Sequence, residues 1–593
     1  MIELIVTRNL SHELPASHLP ARLIANRKIS ANERALLRAM GVRRFFLPAL
    51  SPQAAEDFFG AFDRFWDSLV VGFGPEHSFW RNAVSSKMQE WERSGGYLTL
   101  VLFTLTQIPK TELVRLLVLT SSWQEEALWK DWAQRQGWRL LAVPGFAHGR
   151  ILKIDQEIKN FLLFGYYSAL TLRKKFFSPR LRLGGVPKEK PAFLLASLFY
   201  NGSFKDEGYQ DPFLGKLHRF LQENGKHPCY LNDFLDIPNR QIADTIEQCR
   251  EVTVNVPYAL LSWMKLIGIL LRVFQRRIKV KTVIFNGCDF TNLMAWNLRR
   301  FSHDFNLTAE IYFEAVNELC RRKPLEHLIF VFEGNVFERA CVQAFRGSGR
   351  AKVTGYSHAV VYPLNLKLRV SPQEQKLRPA EDTMVCTGLR TLEILARLGA
   401  RDLSRLRRGC SLRTIPLNSG AGDFSQRTHV LIALDGVRTT SAVLDWLSDN
   451  VRAVEDFTVI IRFHPNVPVE AVISQCLVDL PSGFVLSSGT LEEDLQRSFC
   501  VIYRQTSIGI QAMMNDVPAI HLAVDVPLPT DPIEDVFSGK WKAQTAEELK
   551  AALREISGLK PGERQKRLAG SRGILEDYFA PSSGGRLADF LEN

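Results

Sequence analysis

The sequence predicts an α/β protein in which two parallel-sheet units face each other across a cleft, with a further α/β unit ahead of them. Three observations support this. Continuous apolar runs of four to nine residues recur along the chain, the length of strands buried on both faces. Helical stretches lie between these runs, an alternation that favours parallel sheets with crossover helices. A polar, Gly- and Ser-rich stretch at 411–427 divides two such sets. With 593 residues the chain is too long for one hydrophobic core. The expected units span residues 1–170, 190–415 and 425–580, the last two Rossmann-like.

In the first unit, residues 97–105 and 116–122 read as strands, 125–136 as a helix and 138–143 as a third strand. Residues 171–190 are basic and carry Pro and Gly, and they read as a linker or surface loop. The second unit opens with a strand at 192–200, and further strands are expected at 282–286, 309–313, 327–332 and 352–356. The third has apolar runs at 429–434, 457–463, 483–486, 500–503 and 518–522.

Composition narrows the function classes. Apolar residues make up 46% and charged residues 23%, as in a soluble globular protein. The nine cysteines form no CxxC pair, so reduced buried thiols are expected and a zinc site is not. The net charge of +12 favours anionic partners without choosing among them. Aromatic residues do not interleave with basic ones as on a single-strand platform, so no nucleic acid is expected. The first residues lack the charged and apolar regions of a secretory signal, which makes a cytoplasmic protein the expectation. Residues 256–274 are apolar but broken by Lys265, too short and interrupted for a span. A helix buried against a sheet is expected there. The basic residues after it keep peripheral contact with the inner face of an anionic membrane open.

Polar groups follow several of the apolar runs. In open α/β sheets, ligands bind beyond the carboxyl ends of the strands. His464-Pro465 ends one run; Pro stops the strand, and an imidazolium there suits a phosphate. Arg462 lies two residues back and could add an anion contact. Thr506 and Ser507 open a helix after another run, either capping it or donating hydroxyls to a phosphate. Arg504 just before them could add charge. Asp435-Gly436 ends the run at 429–434, as a turn or as a ribose-binding carboxylate beside a close backbone approach. In the second unit Glu333-Gly334 follows a strand, and a carboxylate at a cleft suits a general base. His358 is a second candidate base, Glu314 a third, and Glu338 follows Glu333 by five residues. No GxxxxGK[ST], HExxH or GxSxG motif occurs, and no DxD between apolar strands, so no metal-bridged diphosphate is expected.

With Glu333-Gly334, His464-Pro465 and Thr506-Ser507 in this order, the chain resembles bacterial glycosyltransferases of the two-Rossmann (GT-B) type that build capsule and O-antigen polysaccharides, among them the sialyl- and Kdo-transferase groups. Phe332 stands where that family has a second acid, and Asp435-Gly436 is a competing fit. The resemblance covers roughly residues 192–580 and implies a metal-independent enzyme without a cofactor. Its donor would be a nucleotide-sugar, CMP-linked by preference, and its acceptor a surface-polysaccharide or lipid-linked glycan. Glu333 would be the base, and His464 with Thr506 and Ser507 would hold the phosphate. The chain is also similar to CDP-alcohol phosphotransferases of wall-polymer synthesis. A non-catalytic scaffold of a polysaccharide assembly complex is the other class of reading.

Overall fold

The computed structural model describes residues 2–591 apart from several segments, the longer ones being 11–21, 88–93, 142–148, 178–191, 235–251 and 414–423. Gly436 and Pro465 also lie outside the described residues, as do most of the 411–427 linker and the 178–190 part of the basic segment.

The apolar runs of the third unit become a six-stranded sheet in the order Phe484–Leu486, Thr458–Arg462, His429–Ala433, Ser498–Tyr503, Ala519–Leu522, Lys540–Ala543. Every neighbouring pair is parallel. The order runs outward from His429–Ala433 on one side, then restarts beside it with Ser498–Tyr503. That reversal is the switch point at which doubly wound sheets bind ligands. The second unit repeats the plan with seven parallel strands, ordered Thr253–Asn255, His227–Phe234, Ala192–Phe199, Leu325–Val331, Lys352–Ser357, Thr383–Cys386, Leu406–Arg408. Its reversal falls between Ala192–Phe199 and Leu325–Val331. The two Rossmann-like units and the α/β unit ahead of them are thus present as the sequence predicts.

The first unit is a five-stranded parallel sheet ordered Arg43–Arg44, Arg22–Ala25, Val114–Leu119, Ile2–Thr7, Arg139–Leu140. It grips both other units. Asp63 takes a two-pronged bond from Arg369 at 2.8 and 2.7 Å, and Lys87 reaches Glu374 and the Arg369 carbonyl. On the other side Arg44 pairs with Asp445 at 2.8 Å, and Leu47 N–H donates to Asp525 at 2.9 Å. The C-terminal helix Pro561–Glu576 leads back to the second unit, where Gly388 approaches the Asp577 carbonyl so closely that a Cβ would sit 2.1 Å from it.

Several expected elements differ. Residues 97–105 form not a strand but part of the helix Gly95–Thr106, capped by Ser94. Nearly all of that helix is buried, so no polar face marked its period. Residues 309–313 lie in the helix Asp304–Arg322, where Leu307, Ile311, Ala315 and Leu319 form one buried stripe at i, i+4 spacing. A five-residue window is too short to show that period. In 282–286 only Ile284–Phe285 pairs, forming a tight hairpin with Cys288–Asp289 through Asn286 and Gly287 at φ +46° and +83°. Phe285 packs against Phe65 and Trp132 of the first unit. The basic segment is helical up to Phe177, as the end of the helix Gly149–Phe177. The apolar stretch 256–274 gives the helix Trp263–Gln275, which is only half buried: Leu266, Ile269 and Val273 face the core while Met264 is 78% exposed. The eight described cysteines are free and buried. Among the described residues no helix is long and apolar enough to cross a membrane.

Candidate functional site

Glu333 sits at the switch point of the second sheet. The strand Leu325–Val331 ends, Phe332 N–H makes a last ladder-like bond to the Tyr356 carbonyl at 2.8 Å, and the chain turns into the helix Val336–Gly347. Gly334 makes the turn at φ +76°, where any Cβ would press on Lys367 and Leu368 at 3.1–3.2 Å. Glu338, in the first turn of the helix, accepts from the backbone N–H of Glu333 at 3.0 Å and of Gly334 at 2.9 Å. It locks the loop that carries Glu333. Burial pushes its carboxyl up to about 8, opposed by Lys367 and by the backbone N–H groups of Asn335 and Glu333.

His358 follows the neighbouring strand, Lys352–Ser357, and its Nε2 lies 2.7 Å from Glu333 Oε1. Its Nδ1 is 2.9 Å from a guanidinium nitrogen of Arg413. A guanidinium can only donate, so Nδ1 accepts and the proton of a neutral imidazole sits on Nε2. Asn335 donates to Glu333 Oε2 at 3.1 Å and is itself held by Lys367 at 3.2 Å. Burial raises the Glu333 pKa, but His358, Lys367 and Asn335 outweigh it and hold the carboxyl well below its usual range. Burial lowers the His358 pKa, with Glu333 opposing. The ring of His358 is buried, whereas one third of the Glu333 side chain remains accessible. Glu333 can therefore meet a substrate; His358 reaches one only through Glu333.

His464 follows the strand Thr458–Arg462 and is half-buried. Burial lowers its pKa; the carboxylates of Asp435 and Glu333 oppose this by favouring the imidazolium. Glu333 belongs to the second unit and Asp435 to the third, so the imidazole stands where the two sheet edges approach each other.

The remaining residues are engaged locally. Asp435 Oδ2 receives Arg504 Nε at 3.1 Å and Nη2 at 2.8 Å, and Oδ1 receives the Thr440 hydroxyl at 2.9 Å. Both members of this ion pair are buried, and Arg504 Nη1 is buried with no hydrogen-bond partner among the described residues. Arg462 turns into its own unit, donating to Asp494 at 2.7 Å, Ser487 at 3.1 Å and the Gly489 carbonyl at 2.9 Å. Thr506 accepts from Ile508 N–H at 3.4 Å, and the Ser507 hydroxyl accepts from Gln511 at 3.1 Å. Their helix, Ile508–Met514, has only seven residues. Glu314 is not at a strand end; it lies on the helix Asp304–Arg322 and pairs with Arg272 at 2.7 Å. A cavity beside Arg504 is lined by Gln505, Asp525 and Thr530 together with Arg44 and Tyr97 of the first unit; His464 and Glu333 do not line it.

The structure thus brings Glu333 and His358 into contact and leaves His464 within the electrostatic reach of Glu333 and Asp435. Asn335, Lys367 and Arg413 complete the site and were missed. For Asn335 a signal existed, an N-cap Asn with an acid three residues on. Arg413 lies 55 residues beyond His358, and nothing local links them. Among the described residues no group of three His, Cys, Asp or Glu side chains is placed to hold a metal ion.

No protein-family model and no curated protein matches the chain. Among solved structures, it is similar to the glycosyltransferase of kitacinnamycin at 14% identity and TM-score 0.39, covering 68% of this chain and 98% of that one. MurG of Acinetobacter baumannii is similar at 11% identity and TM-score 0.35, over 67% and 99%. UDP-GlcNAc 2-epimerase from Neisseria meningitidis, bound to UDP-GlcNAc, is similar at 9% identity and TM-score 0.39, over 67% and 99%. Likenesses this distant carry no weight for activity or substrate.

Proposed function

We propose that this chain is a metal-independent glycosyltransferase that moves a sugar from a nucleotide-activated donor, CMP-linked by preference, onto a surface-polysaccharide or lipid-linked glycan. The observation that supports this reading is that Glu333 and His464 follow strands of the two different sheets and lie within electrostatic reach of each other. One is an accessible carboxylate held ionised, the other an imidazole whose pKa burial lowers against the opposing pull of two carboxylates. Acceptor and leaving group need these two groups on opposite sides of the reacting carbon.

In this scheme the acceptor hydroxyl gives its proton to Glu333 as its oxygen bonds the anomeric carbon. The bond from that carbon to the phosphate oxygen breaks, and the electron pair leaves with the nucleotide. His464 neutralises the charge that develops on that phosphate, with Thr506 and Ser507 as further donors. A bound phosphate favours the imidazolium further, offsetting the burial that lowers the pKa of free His464. His358 lies 2.7 Å from the Glu333 carboxylate and helps hold it ionised, so it is a positioning residue. The net charge of +12 favours an anionic donor and a site of action near anionic lipid at the inner membrane face.

The test pairs binding with turnover. CMP, CDP, UDP and GDP are screened for a rise in melting temperature, and the matching sugar donors for transfer. His464→Ala is expected to remove the nucleotide-induced shift and to cut turnover by roughly 10² to 10³, the cost of one well-placed donor. Unchanged turnover in that variant would falsify the donor site. A shift with CDP and transfer from a CDP-alcohol would move the reading to polyol-phosphate transfer. No turnover from any donor would leave a scaffold.

A further inference from the structure

Eleven of the eighteen exposed large apolar side chains among the described residues lie on two helices, Gly149–Phe177 and Trp263–Gln275. These helices run side by side. Phe161 and Phe164 meet Phe274 at ring distances of 6.2 and 5.3 Å, while Lys175, further along the first helix, lies 5.9 Å from the ring of Trp263 at the start of the second. The pair is therefore antiparallel.

The second helix is apolar on two sides. Leu266, Ile269 and Val273 enter the core, and Trp263, Met264, Ile267, Leu271 and Phe274 point the other way, 43–78% exposed. Its two charges do not interrupt that outer stripe. Lys265 pairs with Glu318 and Arg272 with Glu314, both on the helix Asp304–Arg322 behind it. On the first helix Phe161, Leu162 and Tyr166 are 59–63% exposed. Exposed cations flank the stripe along the chain, Arg173 near the end of the first helix and Lys279 and Lys281 after Phe274, while Lys175 against the Trp263 ring is buried. A contiguous apolar surface of this kind calls for a cover. Aromatic and aliphatic side chains between basic ends match the interface of an anionic bilayer, with rings at the headgroup level and ammonium groups on the phosphates.

We infer that the outer face of the paired helices Gly149–Phe177 and Trp263–Gln275 is a monotopic docking surface for an anionic lipid bilayer. It uses none of the residues assigned to transfer, so it stands or falls apart from that reading.

The full chain is sedimented with phosphatidylcholine vesicles and with vesicles that also contain phosphatidylglycerol. Binding to the mixed vesicles is expected, weakened by salt and weak on phosphatidylcholine alone. Met264→Glu combined with Phe161→Glu is expected to lower the bound fraction about tenfold, and Arg173→Glu with Lys279→Glu to remove the preference for the anionic lipid. Melting temperature and the nucleotide-induced shift should stay at wild type, because these side chains are exposed. If the double variant fails to fold, Met264→Glu alone serves, since that residue is the most exposed of the set. The proposal is overturned if no vesicle binds, if the variants bind like wild type, or if the wild type elutes as a dimer that the variants split.

Discussion

The second and third units each present a carboxylate beside the switch point of a sheet wound in the same order, Glu333 after the strand on one side of it and Asp435 after the strand on the other, yet the two have opposite fates. Glu333 keeps one third of its side chain accessible and is braced by a histidine and an asparagine. Asp435 is buried and closed off by the two-pronged grip of Arg504 and by Thr440. Position at a sheet edge thus offers a carboxylate a role in binding or catalysis. The side chain opposite decides it: a buried imidazole leaves lone pairs open to a substrate, whereas a guanidinium fork takes one carboxylate oxygen and turns the pair inward.

The contrast breaks most sharply under isosteric neutralisation. Glu333→Gln should lower kcat by roughly 10² to 10⁴, the range for a positioned acid-base group, while leaving the melting temperature near wild type. If it unfolds the protein instead, Glu333 is as structural as Asp435. The counterpart, Asp435→Ala, strands a buried guanidinium and should cost about 3–5 kcal/mol in denaturant titration. Replacing both partners, Asp435→Leu with Arg504→Met, should recover most of that loss. A smaller effect separates the two edges at their glycines. Gly334→Ala forces a side chain into φ +76° against Lys367, and should cost about 1–3 kcal/mol and displace Glu333, seen as a fall in kcat beyond the fall in stability.

The smallest effect per step is in pH. Each unit holds one buried neutral histidine in its sheet, His327 on Leu325–Val331 and His521 on Ala519–Leu522. Burial lowers their pKa values to about 3 and about 4. Both folded values lie below the ordinary 6.5, so the unfolded chain takes up protons first as the pH falls. Their stabilisation is therefore complete above pH 6.5 and is lost on descent toward 3–4, at up to about 1.4 kcal/mol per pH unit for each. His521 has Asp531 at 3.9 Å to oppose the cations Lys540 and Lys542, whereas among the described residues His327 has the Thr354 hydroxyl at 2.8 Å and the cations Lys352 and Lys226 with no carboxylate acting on it. His327→Gln should flatten the acid limb of the melting curve more than His521→Gln does.

The central strands of the two Rossmann-like units were legible because a strand buried on both faces must be apolar throughout, as in Cys500–Tyr503, whereas His227–Phe234, Thr253–Asn255, Thr383–Cys386, Leu406–Arg408 and Lys540–Ala543 were not read as strands. The same rule misled at Gly95–Thr106, a helix buried all round, which shows no period either. Strand-end placement also singled out Glu333, His358 and His464, because a parallel sheet leaves its carboxyl edge open to ligands. Sequence could not show that Arg413 would orient His358, that Arg504 would enclose Asp435, or that Arg462 would turn to Asp494. Each of these depends on which side chain arrives from a distant segment, and no local spacing encodes that. Residues along one strand or helix answer to their neighbours in sequence, so the chain alone set the sheets and their polar edges. The division of those polar groups between chemistry and support came from tertiary packing, because charges choose partners by distance in space.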